Sequence, residues 1–491
     1  MFLLTLIKKK KMTKDHNLVL MADAYKYSHH KLYYPGTTRI YSYLESRGGE
    51  FDATVFFGLQ YILKKWLAGQ VITRQKLDEA DEVLPAVFGR TDIYDRSRFE
   101  YLLQQHNGHL PVRIRAVAEG ARVNTHQVLM TIENTDPACA WITNFLETIL
   151  MQVWYPTTVA TVSGHVRDVV SDYFEQTASA GAEAGIDYVL NDFGFRGASS
   201  AETAAIGGAA HLIHFSGSDT IPANQLIRHY YNSNAIYGRS VPATEHSICT
   251  LLGEEGELEV FRHILNTVPT GIVACVSDSY NILRACRDYW GGALRQQILD
   301  RDGTLVIRPD SGDPVITLLR VFEILMDRFG YTINDKGYRV LPPQVRVLQG
   351  DGVNIDSIRA IYGALTLNGI SAENLLLGMG GALLQKVDRD TQKFALKCSY
   401  AEINGQSVDI RKYPMELDGS GLYQPSFKQS KAGRLKLIRQ DGIYKTVGEQ
   451  DESALKDQLK TVFENGQLIN ETSFEEIRAR ALQSLKQGQL V

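Results

Sequence analysis

Residues 304–329, TLVIRP-DSGDP-VITLLRVFEILMDRF, decide the fold. An apolar run without polar interruption is what a strand covered on both faces requires. The Asp-Ser-Gly-Asp-Pro loop then opens a segment whose apolar residues recur at helical spacing. Working outward from it, the same strand–loop–helix unit returns on both sides. Upstream, DYVLNDFGFRG (187–197) leads into ASSAETAAIGGAA, HLIHF (211–215) into SGSDT and ANQLIRHYY, and GIVACV (271–276) into SDS and YNILRACRDYW. Downstream, QVRVLQ (344–349) precedes GDG and VNIDSIRAIYGAL, and NLLLG (374–378) precedes MGG and ALLQKV. Six such units between about residues 185 and 390 predict an α/β fold, a parallel sheet with helical crossovers. A closed barrel and an open doubly wound sheet both satisfy the pattern. The short repeat and the polar loop after every strand favour the barrel, whose site gathers at the C-terminal strand ends.

The flanks read differently. Residues 16–150 mix a helix-like run, Thr54 to Leu67, with strand-like runs at Arg39 to Glu45, Pro111 to Val117 and Gln127 to Ile132. From about Cys398 polar and apolar residues alternate, before a charged, helix-like tail. The expected organisation is therefore a disordered tail (1–15), an accessory α/β region (16–150), an α/β barrel carrying the active-site loops (151–395), and a C-terminal region (396–491) packing with the accessory one. The opening MFLLTLIKKKKM puts its apolar residues before its lysines, the reverse of a secretory signal. A start at Met12 instead of Met1 is the other reading of it.

Composition removes whole classes. With 44% hydrophobic and 22% charged residues in 491, the chain is no disordered polymer, collagen or coiled-coil rod. No apolar run approaches the roughly 20 residues of a membrane span. A net charge of −4, from 52 basic and 56 acidic residues, lacks the basic excess of a nucleic-acid binder. Five cysteines without a CxxC pair form neither a disulfide framework nor a zinc site, and predict a reducing, cytoplasmic setting.

The loops carry the chemistry. Asp310, Ser311, Gly312 and Asp313 follow a strand and precede a helix, where carboxylates either cap the helix or hold sugar hydroxyls or a divalent metal. Arg308 beside them suits an anionic or planar polar ligand. Gly378, Gly380 and Gly381 let backbone amides approach a phosphate at a helix start, and Gly350-Asp351-Gly352 is a similar turn. Lys386, Arg389, Lys393 and Lys397 form a downstream basic run, which reads equally well as a solvated face. Asp219, His246 and Asp278, with Phe193 and Arg196, complete a set that suits a substrate with phosphates, a ribose and a flat ring. No GxSxG, Walker A loop or Rossmann glycine fingerprint accompanies them.

Taken in order, ADAYKYSH (22–29), YSYLESRG (41–48), DFGFRGASS (192–200), SDT (218–220), SVPATEHS (240–247), VSDSY (276–280), IRPDSGDP (307–314), LQGDGVNI (348–355), GGALLQKVDRDT (380–391) and KCSYAEINGQ (397–406) closely resemble the nicotinamide phosphoribosyltransferases. The likeness runs from about residue 20 to at least 435, and extends more distantly to nicotinate phosphoribosyltransferases of the same superfamily. It implies an irregular type II phosphoribosyltransferase barrel with an accessory domain made from both chain ends. It implies a homodimer with shared active sites, joining nicotinamide to phosphoribosyl pyrophosphate with magnesium and with ATP as coupling substrate. By that resemblance Phe193 and, from the other subunit, Tyr25 sandwich the pyridine ring. Asp219 accepts from the carboxamide and Arg308 donates to it; Asp310 and Gly350 hold the ribose, with Asp351 in the phosphoribosyl-binding set; Gly380, Gly381 and Arg389 take the 5′-phosphate. Arg196, His246, Asp278, Arg47, Lys397 and Lys412 surround pyrophosphate, its magnesium (Asp278 and Asp310) or a nucleotide phosphate. His246 matches the histidine phosphorylated in the family, and makes the catalytic set with Asp278, Asp310 and Arg308. Asp219 facing the amide disfavours the carboxylate of nicotinate.

Four positions depart from vertebrate-like versions: Asn191, Phe195, Arg239 and Ala274. None is a residue to which the resemblance gives chemistry, and an effect on affinity is expected of them. Two alternatives stand beside the main reading: a nicotinate phosphoribosyltransferase, and a catalytically silent dimeric homologue.

Overall fold

A computed structural model describes residues 16–425 and 429–488; the predicted N-terminal tail lies outside them. The N-terminal part supplies strands β1 (Thr37–Ser46), β2 (Val112–Ala116) and β3 (Val128–Asn134) and leads into the long helix α1 (Trp154–Thr177). The central part follows as β4 (Leu190–Asp192), α2 (Ala201–His211), β5 (Gly217–Ser218), α3 (Ile221–Tyr230), α4 (Glu257–Thr267), β6 (Gly271–Val276), β7 (Gly303–Arg308) and α5 (Pro314–Phe329). It ends with β8 (Val345–Gln349), α6 (Ile355–Leu367), β9 (Leu375–Met379) and the single turn α7 (Gly381–Leu384). The C-terminal part adds β10 (Phe394–Ile403), β11 (Gln406–Asp409), β12 (Lys460–Glu464), β13 (Gln467–Leu468) and α8 (Phe474–Gly488).

Strands β4 to β9 form one parallel sheet in the order β5-β4-β9-β8-β7-β6. Residues 239–243 join its two edges. Arg239 exchanges backbone hydrogen bonds with Ser216 and Ser218 beside β5, while Pro242 and Thr244 bond Ala274 of β6 at 2.9 and 3.0 Å. The barrel alternative, not the open sheet, is therefore the one realised. Alternation along the strands explains the unbroken apolar runs. Leu305, Ile307, Val347 and Leu377 point outward into the main core under the helices, whereas Ala274, Val306 and Leu348 form a second apolar cluster with Phe193 and Leu376.

One predicted strand is displaced. HLIHF ends α2 and turns, and the strand of that unit is the two-residue β5. The run is apolar because Leu212, Ile213 and Phe215 are buried in the core. Their carbonyls are free to serve the Arg478 guanidinium of α8, which takes Leu212 and Phe215. The helix-like run Thr54 to Leu67 also begins later than expected. Ala53–Val55 is a strand, and the helix starts at Leu59 after Gly58, whose φ of +101° only glycine adopts readily.

Helix α5 shows how local chemistry sets the loops. Asp313 accepts from the Ile316 N–H at 2.9 Å and Pro314 occupies the first position, so the cap and the preset φ start the helix. Leu318, Val321, Phe322, Leu325 and Phe329 then bury one stripe.

The accessory sheet is antiparallel, in the order β11-β10-β1-β3-β2-β12-β13, with strands from both chain ends interleaved. Helix α1 is the wall between the two regions. Its Thr161 and Thr157 hydroxyls accept from the Val55 and Phe57 amides, and Tyr155 donates to the Leu384 carbonyl at 2.8 Å.

Candidate active site

A cavity of about 1240 Å³ is lined from the C-terminal ends of the barrel strands. Phe193 follows β4, Asp219 follows β5, His246 follows the 239–243 run, Arg308 ends β7, Gly350 follows β8 and Gly380 follows β9. Arg196 and Asp310 line it too. Gly381 begins α7 beside Gly380. Asp351 is exposed in the turn after β8, its carbonyl taking Gln349 Nε2 at 2.7 Å.

A chain of polar contacts runs along this rim. Arg308 donates from Nε and Nη2 to Asp310 Oδ1, at 3.0 and 2.8 Å. The Asp310 N–H donates to Asp278 Oδ2 at 3.1 Å, and Asp278 Oδ1 lies 3.1 Å from His246 Nε2. Because a carboxylate only accepts, Nε2 is the protonated ring nitrogen and Nδ1 keeps the lone pair. Asp278 has 4% of its side chain exposed, His246 51%: a fixed carboxylate orients an accessible imidazole. Helix capping falls to Asp313, which leaves Asp310 to Arg308. Asp278 and Asp310 present oxygen donors, the kind a magnesium ion takes.

Opposite lies the apolar part. The Arg308 guanidinium sits 5.4 Å from the Phe193 ring centroid, within cation–π range. Gly378 on β9 makes room for that ring, since a Cβ there would fall 2.2 Å from Phe193 Cε2. Gly350 does the same for Arg308, whose Nε would lie 3.0 Å from a Cβ. Asp219 Oδ1 accepts from the Ser240 hydroxyl. Ser240 stood inside SVPATEHS without a role, because only the fold brings it back to Asp219, 21 residues earlier. All four departures, Asn191, Phe195, Arg239 and Ala274, line this cavity, so they belong to its wall.

The remaining predicted residues lie elsewhere in the chain. Tyr25 and Lys397 line a separate depression of about 460 Å³ with His29, Tyr33 and Glu147. Arg47 pairs with Glu45 at 2.8 Å, and Arg389 with Asp390 at 3.0 Å. Lys412 follows β11, its N–H donating to Ser430 Oγ at 2.8 Å. Burial holds the Lys397 ammonium below its ordinary pKa, and the charges of Arg47, Lys412 and Arg389 lower it further, so the four cations share one face of the accessory region. Lys386 and Lys393 border an open surface hollow with Asp388 and Asp390.

Residues 188–467 match the Nicotinate phosphoribosyltransferase (NAPRTase) family, and residues 17–114 match the Nicotinamide phosphoribosyltransferase, N-terminal domain. A relative from Xanthomonas campestris pv. campestris named nicotinamide phosphoribosyltransferase is 46% identical over 95% of this chain and 98% of its own. One of the same name from Acinetobacter baylyi is 31% identical over 94% and 97%. In fold the chain is similar to nicotinate-nucleotide pyrophosphorylase from Pyrococcus furiosus, with TM-score 0.61 and 15% identity over 99% of this chain and 100% of that one. Human nicotinic acid phosphoribosyltransferase gives 0.56 and 16% over 95% and 94%.

Proposed function

The chain belongs to the nicotinate phosphoribosyltransferase family and, within it, to the nicotinamide phosphoribosyltransferases, and from that we propose that it joins nicotinamide to phosphoribosyl pyrophosphate in NAD salvage, coupled to ATP hydrolysis through His246. The observation that carries this reading is the unbroken contact chain Arg308–Asp310–Asp278–His246 in a cavity that also holds Phe193 and Asp219.

The pyridine ring stacks on Phe193, an apolar face backed by Ala274, Val306 and Leu348. Asp219 accepts from the carboxamide NH2, and Arg308, steadied by Asp310, donates to its oxygen. Asp310 and the Gly350 turn hold the ribose hydroxyls, and the Gly380-Gly381 amides take the 5′-phosphate. Ring nitrogen then attacks the anomeric carbon as its bond to the pyrophosphate oxygen breaks, and both electrons leave with pyrophosphate. The nucleophile needs no base, so positioning is the main task. Asp278 and Asp310 would hold a magnesium ion, which would supply neutralising charge to the leaving group. In the coupled step His246 Nδ1 attacks the γ-phosphorus of ATP, the bond to ADP breaks, and Asp278 stabilises the imidazole that carries the phosphoryl group.

Tyr25, Arg47, Lys397, Lys412 and Arg389 act in the site of the partner subunit, which makes the homodimer the working unit. That none of the five lines the barrel cavity of its own chain supports this. The free thiols among the described residues fit a cytoplasmic home.

Pyrophosphate release with nicotinamide or nicotinate, with and without ATP, tests the reading. Nicotinamide is expected to be preferred, with turnover raised by ATP. Preference for nicotinate makes the protein a nicotinate enzyme, and no release with either leaves the silent homologue.

A further inference from the structure

Asp192 ends β4 with its side chain wholly buried, and no step above uses it. Two hydrogen bonds of its own and one of its neighbour hold this turn. Its Oδ1 accepts from the Gly194 N–H at 2.8 Å, closing the turn that carries Phe193. Its backbone carbonyl accepts from the Asp219 N–H at 3.0 Å. The neighbouring Phe193 N–H donates to the Met379 carbonyl at 3.0 Å. One residue thus ties the stacking ring to the carboxylate that reads the amide.

The second oxygen is buried as well. It lies against the Thr220 and Ser218 hydroxyls, whose hydrogen bonding to the carboxyl works against the rise in its pKa. Gly208 of α2 packs beside it, where a Cβ would press on Ala223 Cβ at 2.9 Å and Thr220 Cγ2 at 3.0 Å before Oδ2 at 3.2 Å. The groups that face this carboxyl are Asp219, the Ser218 and Thr220 hydroxyls and, from α1, Tyr155. Burial lifts its pKa to about 6, and the Asp219 charge adds to that, so it is ionised at pH 7.5.

We infer that Asp192 is a positioning and specificity-determining residue of the pyridine pocket: it fixes Phe193 relative to Asp219, and places a second negative charge behind Asp219 against acidic pyridines. The inference rests on the nicotinamide reading. Two carboxylates repel an incoming carboxylate more than one does, and a neutral amide feels little of either.

Two substitutions separate these effects. Asp192→Ala keeps the backbone bond to Asp219 but removes the Gly194 hydrogen bond that closes the Phe193 turn, and is expected to raise the KM for nicotinamide about tenfold while that for phosphoribosyl pyrophosphate stays within about twofold. Asp192→Asn keeps an oxygen for Gly194 and removes the charge. Its KM for nicotinamide is expected near wild type, while its preference for nicotinamide over nicotinate in kcat/KM narrows about fivefold. Asp192→Asn decides alone if the alanine variant does not fold. Unchanged selectivity in Asp192→Asn, or a parallel rise of both KM values in Asp192→Ala, overturns the inference. Failure of the underlying reading is distinct, because wild-type protein would then make no nicotinamide mononucleotide.

Discussion

The barrel cavity and the cationic face of the accessory region hold charge in opposite ways. On the barrel rim each polar group is held by another: Arg308 pairs with Asp310, and Asp278 orients the His246 imidazole. On the accessory face Arg47 and Arg389 keep carboxylates of their own, Glu45 and Asp390, yet cations still crowd Lys397. Lys397 is pressed toward its neutral form first by burial and then by Arg47, Lys412 and Arg389, with Glu147 acting the other way. A self-compensated cluster is rigid before substrate arrives, which is what preorganised catalysis needs. A crowded cationic face is relieved by a polyanion. The difference fits the proposed division, in which the barrel supplies geometry and the accessory face phosphate affinity.

The sharpest way to break that division is to disable each half separately. Arg308→Ala is expected to lower kcat/KM about a thousandfold, and Lys397→Ala to raise the KM for phosphoribosyl pyrophosphate about tenfold. Co-refolding the two variants should restore about a quarter of wild-type activity, because a mixed dimer holds one intact site if each site draws on both subunits. No recovery, measured by pyrophosphate release, would return both halves to a single chain.

A smaller effect tests the rim itself. His246→Ala should keep basal transfer and lose both ATPase activity and stimulation by ATP, measured as ADP release beside nucleotide formation. Full ATP stimulation in that variant removes His246 from the coupling.

The smallest effect concerns the charge buried beneath the cavity. The folded-state pKa of Asp192, about 6, lies above its ordinary value near 3.9. The unfolded chain therefore loses this proton first, and the folded state is progressively destabilised as pH rises from about 4 to about 6. Relative to Asp192→Asn, wild-type protein should lose about 2 kcal/mol across that window, read by denaturant titration at both ends. Parallel curves would show that the carboxyl is not buried as a charge.

Much of the barrel was legible because strands covered on two faces have to be apolar throughout. Leu305 and Val306 face opposite ways, yet both are buried. Where that link failed, at HLIHF, the apolar residues answered to the core packing of a helix end, and the real strand was Gly217–Ser218, too short and small to carry a pattern. The site was legible only as a set of loops. Asp310 and Asp313 offered the same choice between cap and ligand, and it took the fold to give the cap to Asp313 and Arg308 to Asp310. Asn191, Phe195, Arg239 and Ala274 could not be recognised as cavity wall, because they come from three segments that only the fold brings together.

The sequence by itself determined the repeating units, the polar loops after them and the family. These are local properties, written in the order of side chains along one segment at a time. Tertiary structure alone decided that residues 239–243 close the barrel, that Ser240 reaches Asp219, and that Asp192 lies buried behind Phe193 and Asp219. Those depend on distances between segments far apart in the chain, which packing sets and residue order does not reveal.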